Sequence, residues 1–69
     1  MVDNLMYFTV YSIEEYKEVH NISGKEALAL FNKYKVFNYI NECYDALHTF
    51  GGDEVVWNID EYIKNSKKE

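Results

Sequence analysis

VFNYINECYDALHTFGG, residues 36–52, is the stretch that decides the fold of this chain. It is central, rich in apolar residues, and ends in the only pair of adjacent glycines. Its apolar side chains recur at intervals of three and four residues, which places them on one side of a helix: Phe37, Ile40, Tyr44 and Leu47. The pattern predicts a central helix from about Tyr39 to His48, capped by Asn38, that other helices must cover.

Two helices are expected before this stretch. The first runs from about Asp3 to His20, with a core stripe at helical spacing: Leu5, Met6, Thr9, Ile13, Tyr16 and His20. The second begins after Ser23, whose SGKE sequence is a capping box, and runs to about Tyr34 with Ala27, Leu28 and Phe31 inward. At Lys35 and Val36 we expect a short joint whose backbone a glycine would adopt more easily.

After the stretch, Gly51 and Gly52 are expected to form a turn that accepts positive φ, and Asp53 is expected to cap a last helix. Helical spacing continues through Val55, Ile59, Tyr62 and Ile63. The run Val55 to Trp57 could also begin as a short strand, but helix is favoured.

The chain as a whole is expected to form one domain over residues 1–69. It has 69 residues, no proline, and no repeat or linker composition. A chain of this size has difficulty enclosing an active-site cleft. The predicted fold class is all-α, a compact bundle of about four short helices joined by short connections.

Composition limits the classes of function. The net charge is -5, with 12 acidic and 7 basic residues, which argues against nucleic-acid binding and suits a basic protein partner. Cys43 is the only cysteine, so an intrachain disulfide is excluded and a reducing cytoplasm is expected. The N-terminus resembles no export signal, and no run is long enough to span a membrane. We expect a cytoplasmic protein without membrane association.

Two sets of residues suggest chemistry, and each has a simpler interpretation. Cys43 could be a nucleophile with His48 as its base and Asp45 orienting the histidine. A single cysteine on the apolar side of a helix, however, is usually an unreactive small hydrophobic residue. His20 and His48 could bind a metal with Asp45 or Glu42, but roles at helix ends are favoured for both histidines. We therefore assign no catalytic, cofactor or metal residues.

Exposed aromatic side chains are the better candidates for function. Tyr7 and Tyr11 lie four residues apart, away from the predicted core, and continue along one row into Glu14 and Glu18. Exposed aromatics are enriched at interfaces, although another helix could simply cover them. The predicted partner-binding residues come from this row, the turn after the central helix and the last helix: Tyr7, Tyr11, Glu14, Glu18, His48, Thr49, Phe50 and Trp57.

The segments SGKEA (23–27), YKV (34–36), YDALHT (44–49) and IDEYI (59–63) resemble the bacterial family known as domain of unknown function 3791. The resemblance extends from the first helix to Lys64. The family tends to have Gly where this chain has Lys35, and Gln where it has Phe50. The resemblance implies no established activity. It implies a bacterial protein often encoded beside a larger protein with an ADP-ribosyltransferase-like fold, an arrangement similar to toxin and antitoxin.

Three functions are compatible with these observations. The leading hypothesis is a non-catalytic protein-interaction module, antitoxin-like, that binds a basic protein encoded nearby. The second is a structural homo-oligomer whose exposed aromatics pair with themselves. The third and weakest is a small helical DNA-binding domain, because no basic recognition helix is present.

Overall fold

The computed structural model describes residues 4–67, which form five helices with no strand among them. The all-α class is therefore confirmed. Asp3, where the first helix was expected to begin, lies outside the described residues. In chain order the helices are α1 (Asn4–His20), α2 (Gly24–Lys33), α3 (Val36–Glu42), α4 (Tyr44–Leu47) and α5 (Gly52–Lys67).

The turn between α1 and α2 is closed by hydrogen bonds at both helix ends. Asn21 has φ of 52°, and the amide of Ile22 donates to the carbonyl of Lys17 at 3.1 Å, which is a Schellman ending. Ser23 Oγ then accepts from the amide of Glu26 at 3.1 Å, so the predicted N-cap is confirmed. The reversal folds α2 back onto α1.

The predicted central helix is divided in two. α3 already begins at Val36 with Lys35 as its N-cap, so the prediction that Asn38 caps this helix is wrong. Cys43 has φ of -105° and ψ of 14°, which separates α3 from α4. Its amide still donates to Tyr39 and its carbonyl still accepts from Leu47, so the apolar periodicity continues across the break.

The joint at Lys35 has the unusual backbone that the sequence suggested. Lys35 lies in the left-handed region, with φ of 57° and ψ of 40°. Because a Cβ crowds the backbone there, glycine is the residue best suited to this position.

The last helix begins two residues earlier than a cap at Asp53 would place it. α5 starts at Gly52, so Asp53 lies in its first turn and is not the N-cap. Val55 and Val56 are buried helical residues, and the strand alternative is wrong. Neither Gly51 nor Gly52 has a positive φ, contrary to expectation. A Cβ on Gly52 would instead lie 2.7 Å from Glu15 Oε1 and 2.8 Å from Tyr11 Oη, so this position requires a close approach.

α1 and α5 pack most extensively on each other and run parallel. Tyr11 and Glu15 lie at the start of α5, and His20 lies beside Asp60 farther along it. The core between the helices contains the buried apolar residues Tyr16, Ala27, Phe31, Val36, Ile40, Leu47, Val55, Val56, Ile59 and Ile63. Rings from α2, α3 and α5 extend it, with Phe31 against Phe37 at 5.5 Å and Tyr39 stacked on Tyr62 at 4.3 Å.

The buried side of α1 is rotated relative to the predicted stripe. Ser12 is fully buried and its Oγ donates to the Phe8 carbonyl at 2.8 Å, whereas Met6 and His20 are exposed. On α2, Leu28 is likewise exposed although it was expected inward, and Ala27 and Phe31 are fully buried as predicted.

Candidate functional site

The N-terminal half of α1 presents an apolar surface to solvent. Four side chains on the side of α1 opposite Ser12 are exposed, and we call them the α1 outer face: Met6, Tyr7, Val10 and Tyr11. Tyr7 is 63% exposed and Tyr11 is 41% exposed, so the expectation that both point away from the core is confirmed. Met6 and Val10 make this face more apolar than the sequence indicated.

The glutamates that follow this face have different surroundings. Glu14 pairs with Lys17 at 2.8 Å on the helix surface. Glu15 turns towards the start of α5, where the Tyr11 hydroxyl donates to it. Burial of the Tyr11 hydroxyl and the nearby carboxylates of Glu15 and Asp53 raise the pKa of Tyr11. Glu18 is exposed and makes no ion pair within residues 4–67. Glu18 is therefore the predicted acidic residue whose charge is most available to a partner.

A row of aromatic rings joins α1 to the turn after α4. Phe8 lies 6.1 Å from Tyr11 and 5.5 Å from Tyr44, and Tyr44 stacks on His48 at 4.7 Å between ring centres. Ring contacts through the half-buried Phe8 and Tyr44 thus connect two groups of predicted contact residues, one on α1 and one in the turn.

The polar side chains of that turn hydrogen-bond to backbone carbonyls of α4. His48 Nδ1 donates to the carbonyl of Tyr44 at 2.7 Å, which confirms the expected helix-end role. Thr49 Oγ1 donates to the carbonyl of Ala46 at 2.7 Å. Phe50 follows and is 36% exposed. The rings of His48 and Phe50, rather than the Thr49 hydroxyl, are the parts of the turn that a partner could contact.

A shallow groove of about 220 Å³ lies between α1 and α5, and we call it the α1–α5 groove. Its lining residues are Val19, Asp53, Val56, Trp57 and Asp60. Val56 is buried, whereas Val19 and Trp57 stand exposed on opposite helices, with Trp57 62% accessible to solvent. The two aspartates and Trp57 follow at spacings of four and three residues along α5 and so share one side of it.

One of these aspartates belongs to a network that holds α1 against α5. The Asp60 carboxylate contacts His20 Nε2 at 2.8 and 3.0 Å and accepts a hydrogen bond from the Tyr16 hydroxyl. Burial of Tyr16, together with the Asp60 charge, raises the pKa of Tyr16 to about 12. The ring of His20 packs on Tyr16 at 4.3 Å. His20 lies in the last turn of α1, in keeping with the expected helix-end role, but its Nε2 bond crosses to α5 and does not meet a carbonyl of its own helix.

The other aspartate of the groove is uncommitted. Asp53 makes no hydrogen bond or ion pair with the rest of residues 4–67. It lies one turn from Trp57 and near Tyr11, whose pKa its charge helps to raise. Asp53 therefore gives the groove a free negative charge next to an exposed indole.

The structure gives no support to the interpretation of Cys43 as a nucleophile with His48 as its base. Cys43 is half-buried, and His48, the proposed base, directs Nδ1 to a backbone carbonyl. Within residues 4–67, no three His, Cys, Asp or Glu side chains are grouped to hold a metal ion. Every helix in that range is too short or too polar to cross a bilayer.

Sequence reasoning missed several residues of these surfaces. The apolar spacing predicts Met6 in the core and Asp53 as a cap, and it does not single out Val10 or Val19. The spacing of Asp53, Trp57 and Asp60 was visible as one side of a helix. Nothing in the sequence indicated that Val19 of α1 would face it.

Residues 7–66 match the family model described as "Protein of unknown function (DUF3791)", and the chain belongs to this family. The match includes every predicted contact residue. No curated protein and no solved structure matches the chain.

Proposed function

We propose that this member of the DUF3791 family is a non-catalytic module that binds a basic protein partner through the α1 outer face and the surface adjoining it. The observation that carries the proposal is the exposure of Met6, Tyr7, Val10 and Tyr11 side by side on one helix. Contiguous apolar surface with aromatic and methionine side chains is characteristic of protein interfaces.

Charge supports the same class of partner. The chain carries a net charge of -5, and the apolar residues of α1 are followed on the same side by Glu18. Complementary charge accelerates the encounter of two proteins, and aromatic anchors then provide most of the affinity. A basic partner meets both conditions.

The area that a stable interface requires is larger than the α1 outer face alone. A standard interface buries about 800 Å² on each partner, which is about one sixth of the 4902 Å² surface of this protein. Four side chains on α1 are too few for that area. The aromatic row from Tyr11 through Phe8 and Tyr44 to His48 extends the α1 outer face to the turn that ends at Phe50. We include this turn in the contact surface.

The family resemblance supplies a specific candidate, the ADP-ribosyltransferase-like protein encoded beside such chains, with this protein as its antitoxin-like partner. The test is co-expression of the two, followed by affinity purification and a growth assay for rescue from toxicity. We expect a stable complex that Tyr7→Ala weakens and Leu28→Ala leaves intact, because Leu28 is a comparably exposed apolar residue on α2. Absence of both complex and rescue would contradict the antitoxin role.

Self-association is the second candidate, because an exposed apolar helix face can also pair with a copy of itself. Light scattering over a range of protein concentrations distinguishes the two. A mass that stays at that of the 8.2 kDa monomer excludes the homo-oligomer.

A further inference from the structure

We infer that the α1–α5 groove is the docking site for a basic segment of the protein partner, in which a Lys or Arg lies next to an apolar side chain. The inference rests on the proposed function and adds the place and chemistry of a second contact. It starts from the pairing of an exposed indole, Trp57, with the uncommitted carboxylate of Asp53.

The volume of the groove suits side chains of a protein segment better than a small molecule. Small-molecule sites usually enclose about 300–1,000 Å³, whereas this groove has about 220 Å³ and is open to solvent. That space suits one or two side chains of a protein segment. Val56 forms an apolar base, and Val19 and Trp57 stand on either side of it. An apolar side chain inserted here would cover surface that both flanking residues now expose.

The acidic side chains around the groove indicate that the occupant carries a Lys or Arg next to its apolar side chain. Asp53, Asp60 and the nearby Glu15 place negative charge along the groove, and His20 is already held by Asp60. No lysine lines the groove. A cation seated here would reach the free carboxylate of Asp53 and could lie over the indole face of Trp57, since tryptophan is the preferred ring for cation–π contact. An acidic segment would meet uncompensated repulsion.

This protein has 7 basic residues against 12 acidic ones, so a basic partner complements the groove better than a second copy does. Its lysines at Lys33 and Lys35 border a different concavity, around Tyr34 at the joint between α2 and α3. Lys33 lies over the Tyr34 ring at 5.4 Å and Lys67 at 5.8 Å. These contacts occupy two of the cations that a second copy would need to present, which favours another protein as the occupant.

Trp57 is the only tryptophan, so its fluorescence reports on the groove directly. The probe is a display library of random tryptophan-free peptides, selected against the folded protein. We expect selected peptides to carry Lys or Arg beside a large apolar residue, and to shift the Trp57 emission to shorter wavelength as the ring leaves water. Trp57→Ala should weaken binding about tenfold or more, as for an interface anchor.

Matched variants separate the charge of the groove from the charge of the protein. Asp53→Asn should weaken the selected peptides severalfold, whereas Glu54→Gln should leave them unchanged. Both residues are acidic and lie in the first turn of α5, but only Asp53 lines the groove. A peptide set that is acidic or uncharged, or that binds Trp57→Ala as well as the unaltered protein, overturns the inference. So does a library that yields no binder dependent on Trp57.

Two further results distinguish this inference from the proposed function. If the co-expressed partner binds Trp57→Ala and Asp53→Asn as tightly as the unaltered protein, the groove inference fails and the proposed function stands. If basic peptides occupy the groove but no partner complex forms, the proposed function fails while the groove remains a binding site. A concentration-dependent shift of Trp57 emission without peptide would assign the groove to a second copy and overturn the inference.

Discussion

Replacing Lys35 by glycine should stabilise the protein. Lys35 has φ of 57° and ψ of 40°, where a side chain costs about 1–2 kcal/mol relative to glycine. Glycine in turn costs about 0.5–1 kcal/mol through its greater freedom in the unfolded chain. The difference predicts a net gain of about 0.5–1 kcal/mol for Lys35→Gly. The lysine side chain is exposed and makes no ion pair with the described residues, so little is lost with it.

Urea denaturation followed by circular dichroism measures this gain. With a slope of about 1 kcal/mol per molar urea for a small protein, the midpoint should rise by about 0.5–1 M. The melting temperature should rise by about 2–8 °C.

Two controls separate backbone strain from charge and from glycine itself. Lys35→Ala removes the charge but keeps the Cβ, and should change stability by less than about 0.5 kcal/mol. Lys64→Gly makes the same substitution at an exposed position inside α5 and should destabilise by about 1 kcal/mol. If Lys35→Gly is no more stable than Lys35→Ala, the left-handed backbone is not the source of the cost and the reasoning is refuted.

Three further measurements test other parts of the structure. Ser23→Ala should lower the free energy of unfolding by about 1 kcal/mol through loss of the α2 cap, while Asn38→Ala, at the position wrongly expected to be a cap, should change it by less than about 0.5 kcal/mol. The pKa of Tyr16 is raised from 10.0 to about 12, so the folded state keeps a proton that the unfolded state loses. Stability should therefore fall between pH 10 and 12 more steeply in the unaltered protein than in Tyr16→Phe; equal slopes in pH-dependent denaturation would contradict this. Gly52→Ala would place a Cβ 2.7 Å from Glu15 and 2.8 Å from the Tyr11 hydroxyl, and should move the NMR signals of both residues, whereas Gly51→Ala, in open space, should move neither.

Local features of the fold were predictable because adjacent residues determine them. The Ser23 cap depends on one hydroxyl and an amide three residues later, and both can be seen in the sequence. The unusual backbone at Lys35 follows from the need for a tight joint between two helices. The break at Cys43 was not predictable, since backbone hydrogen bonds and apolar spacing continue on both sides of it.

The orientation of α1 depends on its neighbours and could not be read from apolar spacing. Met6 and Leu5 are equally plausible core residues by their apolar character, and only the packing of the other helices on α1 decides between them. Ser12 is buried with its hydroxyl bonded to the Phe8 carbonyl, whereas sequence patterns place serine outside. The predicted contact residues Tyr7, Tyr11 and Trp57 are exposed, and their part in binding stays a prediction.

The groove depends on contacts between residues about 40 positions apart, as in the pairing of His20 with Asp60. The sequence supplied one side, the row of Asp53, Trp57 and Asp60 on α5. It gave no indication that α1 would run parallel to α5 and place Val19 opposite this row. Tertiary pairing of helices, rather than helix formation, was the missing information.

The parallel pairing of α1 with α5 also bears on how the chain folds as it is made. α1 emerges first, and residues 21–51 must be synthesised before its principal neighbour begins. At about 5–20 residues per second, that interval lasts about 2–6 seconds. Until it ends, the side of α1 that α5 covers stays exposed, together with the α1 outer face. A binding protein present at the ribosome can therefore engage α1 before the bundle closes around it.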